Sequence, residues 1–179
     1  MKITSTEEYG LRCLVRVGRQ AGAGPVSAQD VADSEGLSLP YAQKLLRALT
    51  RGGLLRSSKG AHGGYQLARD AREISLGDAI RVLGGVIELD SICTRHTGEQ
   101  SVCSHTADCT LRPVWGYVSE FIVRTFDSIP LALLLDNEHV VARELMNLVP
   151  DPVEVPVQDQ DVSPPVELMC PIEGVVHSN

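Results

Sequence analysis

The chain has 179 residues, of which 43% are hydrophobic and only 4% aromatic, so aliphatic side chains must fill any packed core. No apolar run is long enough to span a bilayer, and no signal-peptide pattern follows Met1. We therefore expect a cytoplasmic protein without membrane association. The five cysteines are an odd number in a chain without a secretion signal, which argues against a structural disulfide framework.

The formal net charge of −7 would disfavour a nucleic-acid partner if it were spread evenly. Residues 1–75, however, carry 11 Lys and Arg against 7 Asp and Glu, a balance of +4. Residues 76–179 carry 5 against 16, a balance of −11. The basic front half can approach phosphates, while the acidic rear half favours solubility.

Three helices are predicted at the start of the chain. The first covers residues 5–22, with a capping box formed by Ser5 and Glu8. The second begins at Ser27 and stops near Gly36. The third begins at Ser38, tolerates Pro40 in its first turn and ends at residues 52–53. The tight turn between the second and third helices is typical of a helix-turn-helix.

Two short strands are predicted next, over residues 54–56 and 65–67. The segment between them is polar and rich in glycine, which predicts a hairpin with a projecting tip. A helix-turn-helix followed by such a hairpin is a winged helix. The predicted fold is mainly α with a small β-hairpin: a winged helix-turn-helix domain followed by a long dimerisation helix.

The rest of the chain predicts a short helix over residues 75–83, a loop over 90–109 and a long amphipathic helix from Thr110. A shorter helix is expected after Pro130, over residues 131–135 or 139–148. The long helix carries apolar residues at alternating spacings of three and four, a pattern suited to pairing with another helix. The seam consists of Leu111, Val114, Trp115, Val118, Phe121, Ile122, Thr125, Phe126 and Ile129. We expect two copies to pair along it as a homodimer.

The sequence therefore predicts three parts. Residues 1–75 form a winged helix-turn-helix DNA-binding domain, and residues 76–149 hold the cysteine-containing loop, a candidate metal or redox site, and the dimerisation helices. Residues 150–179 contain six of the ten prolines among acidic and amide side chains, so we expect a disordered tail.

Three cysteines are spaced C-x9-C-x5-C in the predicted loop: Cys93, Cys103 and Cys109. In a reducing compartment such a group indicates a metal site or a thiol that switches by oxidation. Zinc is less favoured, because structural zinc sites usually contain C-x2-4-C pairs. Cys13 is expected in the core, and Cys170 lies in the predicted tail without an assigned role.

The DNA-facing residues are predicted from the geometry of a helix-turn-helix, whose third helix enters the major groove by its N-terminal end. Gln43 suits an adenine edge, whereas basic side chains suit phosphates. The wing is expected to reach the adjacent minor groove with its tip. The predicted contacts are Ser38, Tyr41, Gln43, Lys44 and Arg47 on the helix, and Lys59 and His62 on the wing.

These segments resemble the IscR/NsrR-type family of winged-helix regulators, many of which bind an iron–sulfur cluster. The likeness is sharpest at the wing, continues into the cysteine group and the helix after it, and covers about 140 residues. It rests on Met1-Lys2-Ile3-Thr4-Ser5, Gly36-Leu37-Ser38-Leu39-Pro40-Tyr41, Leu45-Leu46-Arg47-Ala48-Leu49 and Gly60-Ala61-His62-Gly63-Gly64-Tyr65-Gln66-Leu67-Ala68-Arg69.

The resemblance implies an iron–sulfur cluster, with [4Fe–4S] favoured over [2Fe–2S], held by the three loop cysteines. Relatives commonly space these cysteines C-x5-C-x5-C, so the first gap here is four residues longer. Some relatives have a histidine three residues after the last cysteine, where Arg112 stands, and a guanidinium cannot ligate. Others use an N-terminal carboxylate that reaches across the dimer. Glu8 is therefore the expected fourth ligand, ahead of His105, His96 and Asp108.

The sequence thus indicates a homodimeric transcriptional repressor, and not an enzyme, that senses redox state, nitric oxide or iron–sulfur status. One alternative is a regulator that switches through a thiol and disulfide without metal. A small iron–sulfur redox protein is a weaker alternative, because no nucleotide-binding loop or second cofactor motif is visible.

Overall fold

The computed structural model describes residues 3–60, 63–85, 96–105 and 109–148. The predicted contact His62, the predicted ligand Cys93, Asp108 and the predicted tail lie outside the described residues. The described elements are α1 (Ser5–Arg19), α2 (Ala28–Glu35), α3 (Leu39–Arg51), β1 (Leu55–Ser58), β2 (Gly64–Leu67), a 3-10 turn (Ala71–Glu73), α4 (Leu76–Val82), α5 (Leu111–Ser128), α6 (Leu131–Leu134) and α7 (Glu138–Asn147).

The chain divides into two units. The first contains α1 to α4, the hairpin, α6, α7 and the last residues of α5. The second contains the described cysteine segment and α5 up to Phe121. α5 therefore belongs to both units, and its two parts have different burial.

The core of the first unit lies between α1 and the helix-turn-helix. Leu14 of α1 and Leu46 and Leu49 of α3 are fully buried. They recur three or four residues apart along each helix, so each helix presents one apolar stripe to the other. Burying a leucine side chain contributes about 1.5–3 kcal/mol, so these residues stabilise the contact between the two helices. Other core members are Cys13, Val17, Val26, Val31, Leu45, Leu54, Leu55, Ile74, Ala79, Leu83 and Leu131.

The start of α1 corrects the predicted capping box by one residue. The N-cap is Thr4, whose hydroxyl accepts from the Glu7 amide while the Glu7 carboxylate accepts from the Thr4 amide. The pattern of a hydroxyl residue followed three positions later by Glu occurs twice here, at Thr4 and at Ser5. The first register buries Glu7 and leaves Glu8 exposed on the helix surface. Glu8 is therefore not a capping residue.

The two helices of the helix-turn-helix differ in the capping hydrogen bonds at their N-termini. The Ser27 hydroxyl accepts from the Asp30 amide at 3.1 Å and caps α2, which ends at Gly36 with φ +66°. Ser38 is the N-cap of α3 but makes no side-chain capping bond. Its hydroxyl is thus available at the exposed end of the predicted reading helix.

The wing is an antiparallel hairpin whose register pairs Leu55 with Leu67 and Ser57 with Tyr65. It is extended by a bridge to Val26, whose carbonyl accepts from the Tyr65 amide at 2.8 Å. A Cβ on Gly64 would collide with that carbonyl oxygen. Glycine at this position therefore permits the hairpin to close against the segment before α2.

A chain of ion pairs joins the end of the wing to α4 and α5. Asp78, in the capping box of α4, accepts from Arg69 at 2.9 Å and from Arg81 at 3.0 Å. Arg81 also pairs with Asp127 of α5 at 2.8 Å. Burial acts to raise the pKa of Asp78, but the bonds from Ser75 and the two arginines lower it below its ordinary value.

We expect Gly64→Ala to destabilise the first unit by about 1–3 kcal/mol, because the added methyl group collides with the Val26 backbone. Urea unfolding followed by circular dichroism measures the change. The matched control is Gly116→Ala, since a Cβ there meets no atom within 4 Å. That control should stabilise the protein by about 0.5–1 kcal/mol, as alanine does in a helix. Equal midpoints for wild type and Gly64→Ala would contradict the proposed role.

Candidate nucleic-acid interface and cysteine segment

A basic cleft of about 460 Å³ lies between α3 and the hairpin. Its charged lining is Lys44, Arg47 and Arg51, with no acidic residue among the side chains that line it. The spacing of three and four residues places these cations on one face of α3. Polar side chains complete the wall: Thr50, Ser57 and Tyr65. Cations backed by hydroxyl groups are the chemistry that binds phosphodiester oxygens.

The structure brings the predicted contacts Lys44 and Arg47 together in this cleft and leaves both exposed. Ser38 is exposed at the N-terminus of the same helix, and Gln43 is partly exposed. Lys59 is exposed where β1 ends. The DNA contacts of these side chains stay predictions, and so does that of His62.

Tyr41 faces a different environment from the other predicted contacts. Its ring meets the ring of Tyr9 edge to face, with centroids 6.1 Å apart and planes at 81°. It is partly buried against the core. The first turn of α3 is thereby attached to α1.

Ser57 and Tyr65 are absent from the predicted contacts, although a signal for them exists. Side chains alternate between the faces of a strand, and Leu55 is buried. Ser57 lies on the same face of β1 as Leu55, and Tyr65 is its cross-strand partner. Strand alternation combined with the hairpin register would therefore have placed both beside α3.

A second cavity, a groove of about 710 Å³, lies between α1, the end of α2 and α7. Apolar side chains of α1 and α7, such as Leu11, Val15 and Val141, line it together with several charged residues. Glu8 and Arg12 lie one helical turn apart in this groove. No sequence pattern indicates the groove, because its two walls are more than 100 residues apart in the chain.

Arg12 is held at the edge of this groove by Glu35, the last residue of α2. The Arg12 Nε donates to the Glu35 carboxylate at 2.9 Å, and Nη2 donates to the Glu35 carbonyl oxygen at 3.3 Å. The hydrogen bond to Glu35 raises the pKa of the Arg12 guanidinium, and the negative charges of Glu35 and Glu8 act in the same direction. Arg12 thus lies in the field of two carboxylates.

The described cysteine segment contains two thiols, of which Cys109 lies just before the start of α5. Cys103 and Cys109 are partly buried, lie on irregular backbone and form no disulfide. The Cys109 carbonyl accepts from the Arg112 amide at 3.2 Å, and the Arg112 side chain donates to the His105 carbonyl at 3.2 Å. Cys109 thus lies just before the first turn of an 18-residue helix.

The donor set fits an iron–sulfur cluster in its chemistry. Thiolates are the ligands that such clusters require, and Cys103 and Cys109 are partly exposed and unbonded. No group of three His, Cys, Asp or Glu is assembled for a metal among the described residues, which do not include Cys93. Glu8 belongs to the first unit and these cysteines to the second, so ligation by Glu8 stays a prediction. His105 and His96 are exposed in the second unit.

Cys13 is a core residue, as its place in α1 predicts. It is fully buried, and burial raises its pKa to about 11. At neutral pH this sulfur therefore remains a thiol, which neither binds a metal nor attacks a disulfide efficiently.

Known proteins match this chain over most of its length. A family model described as "Rrf2: Iron-dependent Transcriptional regulator" matches residues 3–137. The chain is 33% identical over 153 residues to protein rrf2 of Nitratidesulfovibrio vulgaris, covering 84% of this chain and 97% of that protein. It is 31% identical over 141 residues to the HTH-type transcriptional regulator IscR of Serratia proteamaculans, covering 79% and 83%.

Solved structures agree with the sequence matches. T. potens IscR has a TM-score of 0.60 at 35% identity, over 75% of this chain and 86% of that chain. The oxidized form of Staphylococcus aureus CymR has a TM-score of 0.60 at 30% identity, over 76% and 98%. These likenesses confirm the predicted winged-helix fold. In the part of the chain that the structure covers, no helix has the length and apolarity needed to cross a bilayer.

We expect a maleimide reagent at pH 8 to modify Cys103 and Cys109 of the metal-free native protein while sparing Cys13. The buried thiol is inaccessible and stays protonated at that pH, because its pKa is about 11. Peptide mass spectrometry after timed labelling reports each site. The control is the same protein in urea, where Cys13 should react as fast as the others. Equal native labelling of Cys13 and Cys103 would contradict the assigned burial.

Proposed function

Because the chain belongs to the Rrf2 family of transcriptional regulators, we propose that it is a homodimeric repressor that senses redox state, nitric oxide or iron–sulfur status through an iron–sulfur cluster. Membership of this family confirms two predictions, that the chain is a DNA-binding regulator and that it is not an enzyme. The single observation that carries the DNA-binding role is the basic cleft between α3 and the wing.

The proposed DNA contact begins at the N-terminus of α3. The Ser38 hydroxyl makes no capping hydrogen bond and can therefore contact a phosphate at this end. The helix dipole also favours a phosphate there. Gln43 then lies on the part of α3 that enters the major groove and reads a base edge. Lys44 and Arg47 contact the backbone through the basic cleft. Lys59 and His62 of the wing approach the adjacent minor groove, and Tyr41 positions the first turn of α3.

The proposed sensor is a cluster held by Cys93, Cys103 and Cys109, with Glu8 as the fourth ligand and [4Fe–4S] favoured over [2Fe–2S]. When bound, such a cluster supplies an oxidisable centre whose loss changes the charge and the order of its ligands. Cys109 connects this site directly to the start of α5. The Arg112 side chain, in the first turn of α5, donates to the His105 carbonyl. A carboxylate ligand binds iron less firmly than a thiolate and is suited to a sensor.

The proposed dimer forms along the first half of α5. Leu111, Val114, Trp115 and Val118 are 57%, 50%, 41% and 38% exposed, which is unusual for residues that repeat on one helix face. Ile129 belongs to the same predicted seam, but it is buried in the first unit and lies beyond the end of α5. We therefore restrict the proposed seam to the exposed first half of α5. Two reading helices on one dimer would fit a palindromic site.

The alternative is a thiol and disulfide switch without metal. The relative S. aureus CymR has been solved in an oxidized form, which favours this second candidate. Metal analysis separates the two candidates.

We expect Lys44→Gln to weaken binding to duplexes of any sequence and to reduce the slope of log Kd against log salt by about 1, because one phosphate contact is lost. Fluorescence anisotropy on a labelled duplex between low and moderate salt measures both. Arg143→Gln is the charge-matched control, since Arg143 is an exposed cation on α7 outside the cleft. Identical slopes for the two variants would remove the cleft from the interface.

We expect native mass spectrometry of anaerobically purified protein to show iron and sulfide bound to the wild-type chain and absent from Cys103→Ser. A serine hydroxyl stays protonated and does not replace a thiolate. Cys170→Ser is the control and should retain both elements, because Cys170 has no assigned role. Iron-free wild type with reactive thiols would reject the cluster and favour the thiol switch.

The same spectra test the pairing of the 19.3 kDa chain. We expect two chains per particle for wild type and one for Val118→Glu, because a carboxylate in the seam is desolvated on pairing. Gly116→Glu is the control outside the seam, where a side chain meets open space. A two-chain particle for Val118→Glu would exclude this seam as the interface.

A further inference from the structure

We propose that Arg51 of α3 and Ser57 and Tyr65 of the wing bind one and the same DNA phosphate, which joins the reading helix and the wing at a single position of the duplex. We call these three side chains the phosphate site. The inference rests on the proposed function and deepens it, because it adds named contacts at the basic cleft. It does not involve the cysteines or the proposed cluster.

The cations of the basic cleft have no partner within the described ranges 3–60, 63–85, 96–105 and 109–148. Over these residues Arg51 makes no ion pair and no side-chain hydrogen bond, and neither does Lys44 or Arg47. Other arginines of the first unit are paired, such as Arg12 with Glu35 at 2.9 Å. A guanidinium carries five N–H donors and no acceptor. The donors of Arg51 are therefore available to an anion in the cleft.

The Tyr65 hydroxyl is also available. The Tyr65 ring packs against the core of the first unit, and the same side chain lines the basic cleft. Among the described residues this hydroxyl has no hydrogen-bond partner, and it is not one of the buried unpaired polar atoms, so solvent reaches it. A tyrosine with an anchored ring and an accessible O–H is suited to donate to a ligand.

The other hydroxyls of the cleft differ in whether they are already bonded. Thr50 donates to the Leu46 carbonyl at 2.8 Å, so its hydrogen is used within α3. Ser57 is exposed and is the cross-strand partner of Tyr65. Its side chain makes no hydrogen bond in the described part of the chain. Ser57 and Tyr65 thus supply two free O–H donors in the same cleft as Arg51.

Both walls of the cleft are held in place by the backbone. The Tyr65 amide donates to the Val26 carbonyl at 2.8 Å, and the Val26 amide donates to the Tyr65 carbonyl at 3.0 Å. Only residues 52–54 separate α3 from β1, so Arg51 stays close to the strand that carries Ser57. A preformed site loses little conformational entropy when it binds its ligand.

The donor set matches a phosphodiester. Its two non-bridging oxygens share one negative charge, and each accepts more than one hydrogen bond. The planar guanidinium of Arg51 can donate to both oxygens, and the hydroxyls of Ser57 and Tyr65 donate from the opposite wall. No carboxylate lines the cleft to repel the anion. A phosphate held from both walls fixes the position of the wing relative to α3 on the duplex.

The first experiment separates the hydroxyl from the charge. The probe is the duplex that the anaerobically purified full-length chain selects from a random-sequence pool, and fluorescence anisotropy gives Kd at several salt concentrations. We expect Tyr65→Phe to raise Kd about tenfold with an unchanged slope of log Kd against log salt, because a hydrogen bond is lost but no charge. Arg51→Gln should raise Kd about tenfold or more and reduce the slope by about 1.

Two further variants complete this experiment. Tyr117→Phe is the matched control, because it removes the same hydroxyl from a tyrosine of α5 outside the cleft, and its Kd should equal that of wild type. Ser57→Ala tests the hydroxyl wall if Tyr65→Phe does not fold. Ser57 is exposed, so its loss leaves the core intact, and we expect Kd to rise about fivefold.

The second experiment tests whether the three side chains share one phosphate. In a series of duplexes, one linkage in each half-site is replaced by an uncharged methylphosphonate. We expect one linkage whose replacement weakens wild type and abolishes the effects of Tyr65→Phe, Ser57→Ala and Arg51→Gln, because their common partner is gone. Lys44→Gln should keep its effect at that linkage, since Lys44 lies about two turns of α3 away from Arg51.

Wild-type affinity of folded Tyr65→Phe or of Ser57→Ala would overturn the phosphate site. Loss of the Tyr65 and Arg51 effects at two different linkages would also overturn it. Failure of the proposed function gives a different result, because wild type then enriches no duplex and DNA binding is rejected together with the phosphate site. The expected pattern in protein that contains neither iron nor sulfide would retain the phosphate site and reject only the cluster.

Discussion

Leu14 and Val17 of α1 are buried against Leu46 and Leu49 of α3, and the features of the first unit depend on this contact. It fixes one helix face inward, so the opposite face of α1 must carry Glu8 and Arg12 outward. It also fixes the rotation of α3 about its axis. Lys44 and Arg47 are exposed because they lie away from the apolar stripe of α3, which packs against α1.

The wing depends on backbone approach more than on side chains. Only Gly60 among its described glycines has a positive φ, at +112°. A Cβ on Gly63 would collide with the Ser58 carbonyl, and one on Gly64 with the Val26 carbonyl. A glycine-rich tip suggests a need for conformational freedom, yet two of these glycines are required by close contacts. The bridge to Val26 therefore fixes the angle at which the hairpin leaves the helix-turn-helix, and with it the width of the basic cleft.

The local elements could be predicted from sequence because neighbours along the chain determine them. The stripe of α3, the strand pairing and the cap of α4 all follow from short-range spacing. The predicted cap of α1 is wrong by one residue because two overlapping patterns compete, and burial of Glu7 decides between them. The groove beside Glu8 and the contact between Tyr9 and Tyr41 could not be predicted, since each joins segments far apart in the chain. No spacing rule carries that information.

α5 shows why a single apolar pattern can serve two purposes. Its residues repeat with one period from Leu111 onward, and periodicity alone assigns them to one seam. Their burial, however, separates these residues into an exposed group at the start of α5 and a buried residue, Ile129, just after its end. The chain after α5 returns to the core through Leu131, whose amide donates to the Ile74 carbonyl at 2.7 Å, and Ile129 is buried beside it. Arg81 holds Asp127 in the same region. The end of α5 is therefore anchored to the unit that carries α3, while its start presents exposed apolar side chains and follows Cys109. One apolar repeat along α5 thus ends in the core of the first unit and leaves its start exposed, a division that the period alone does not reveal.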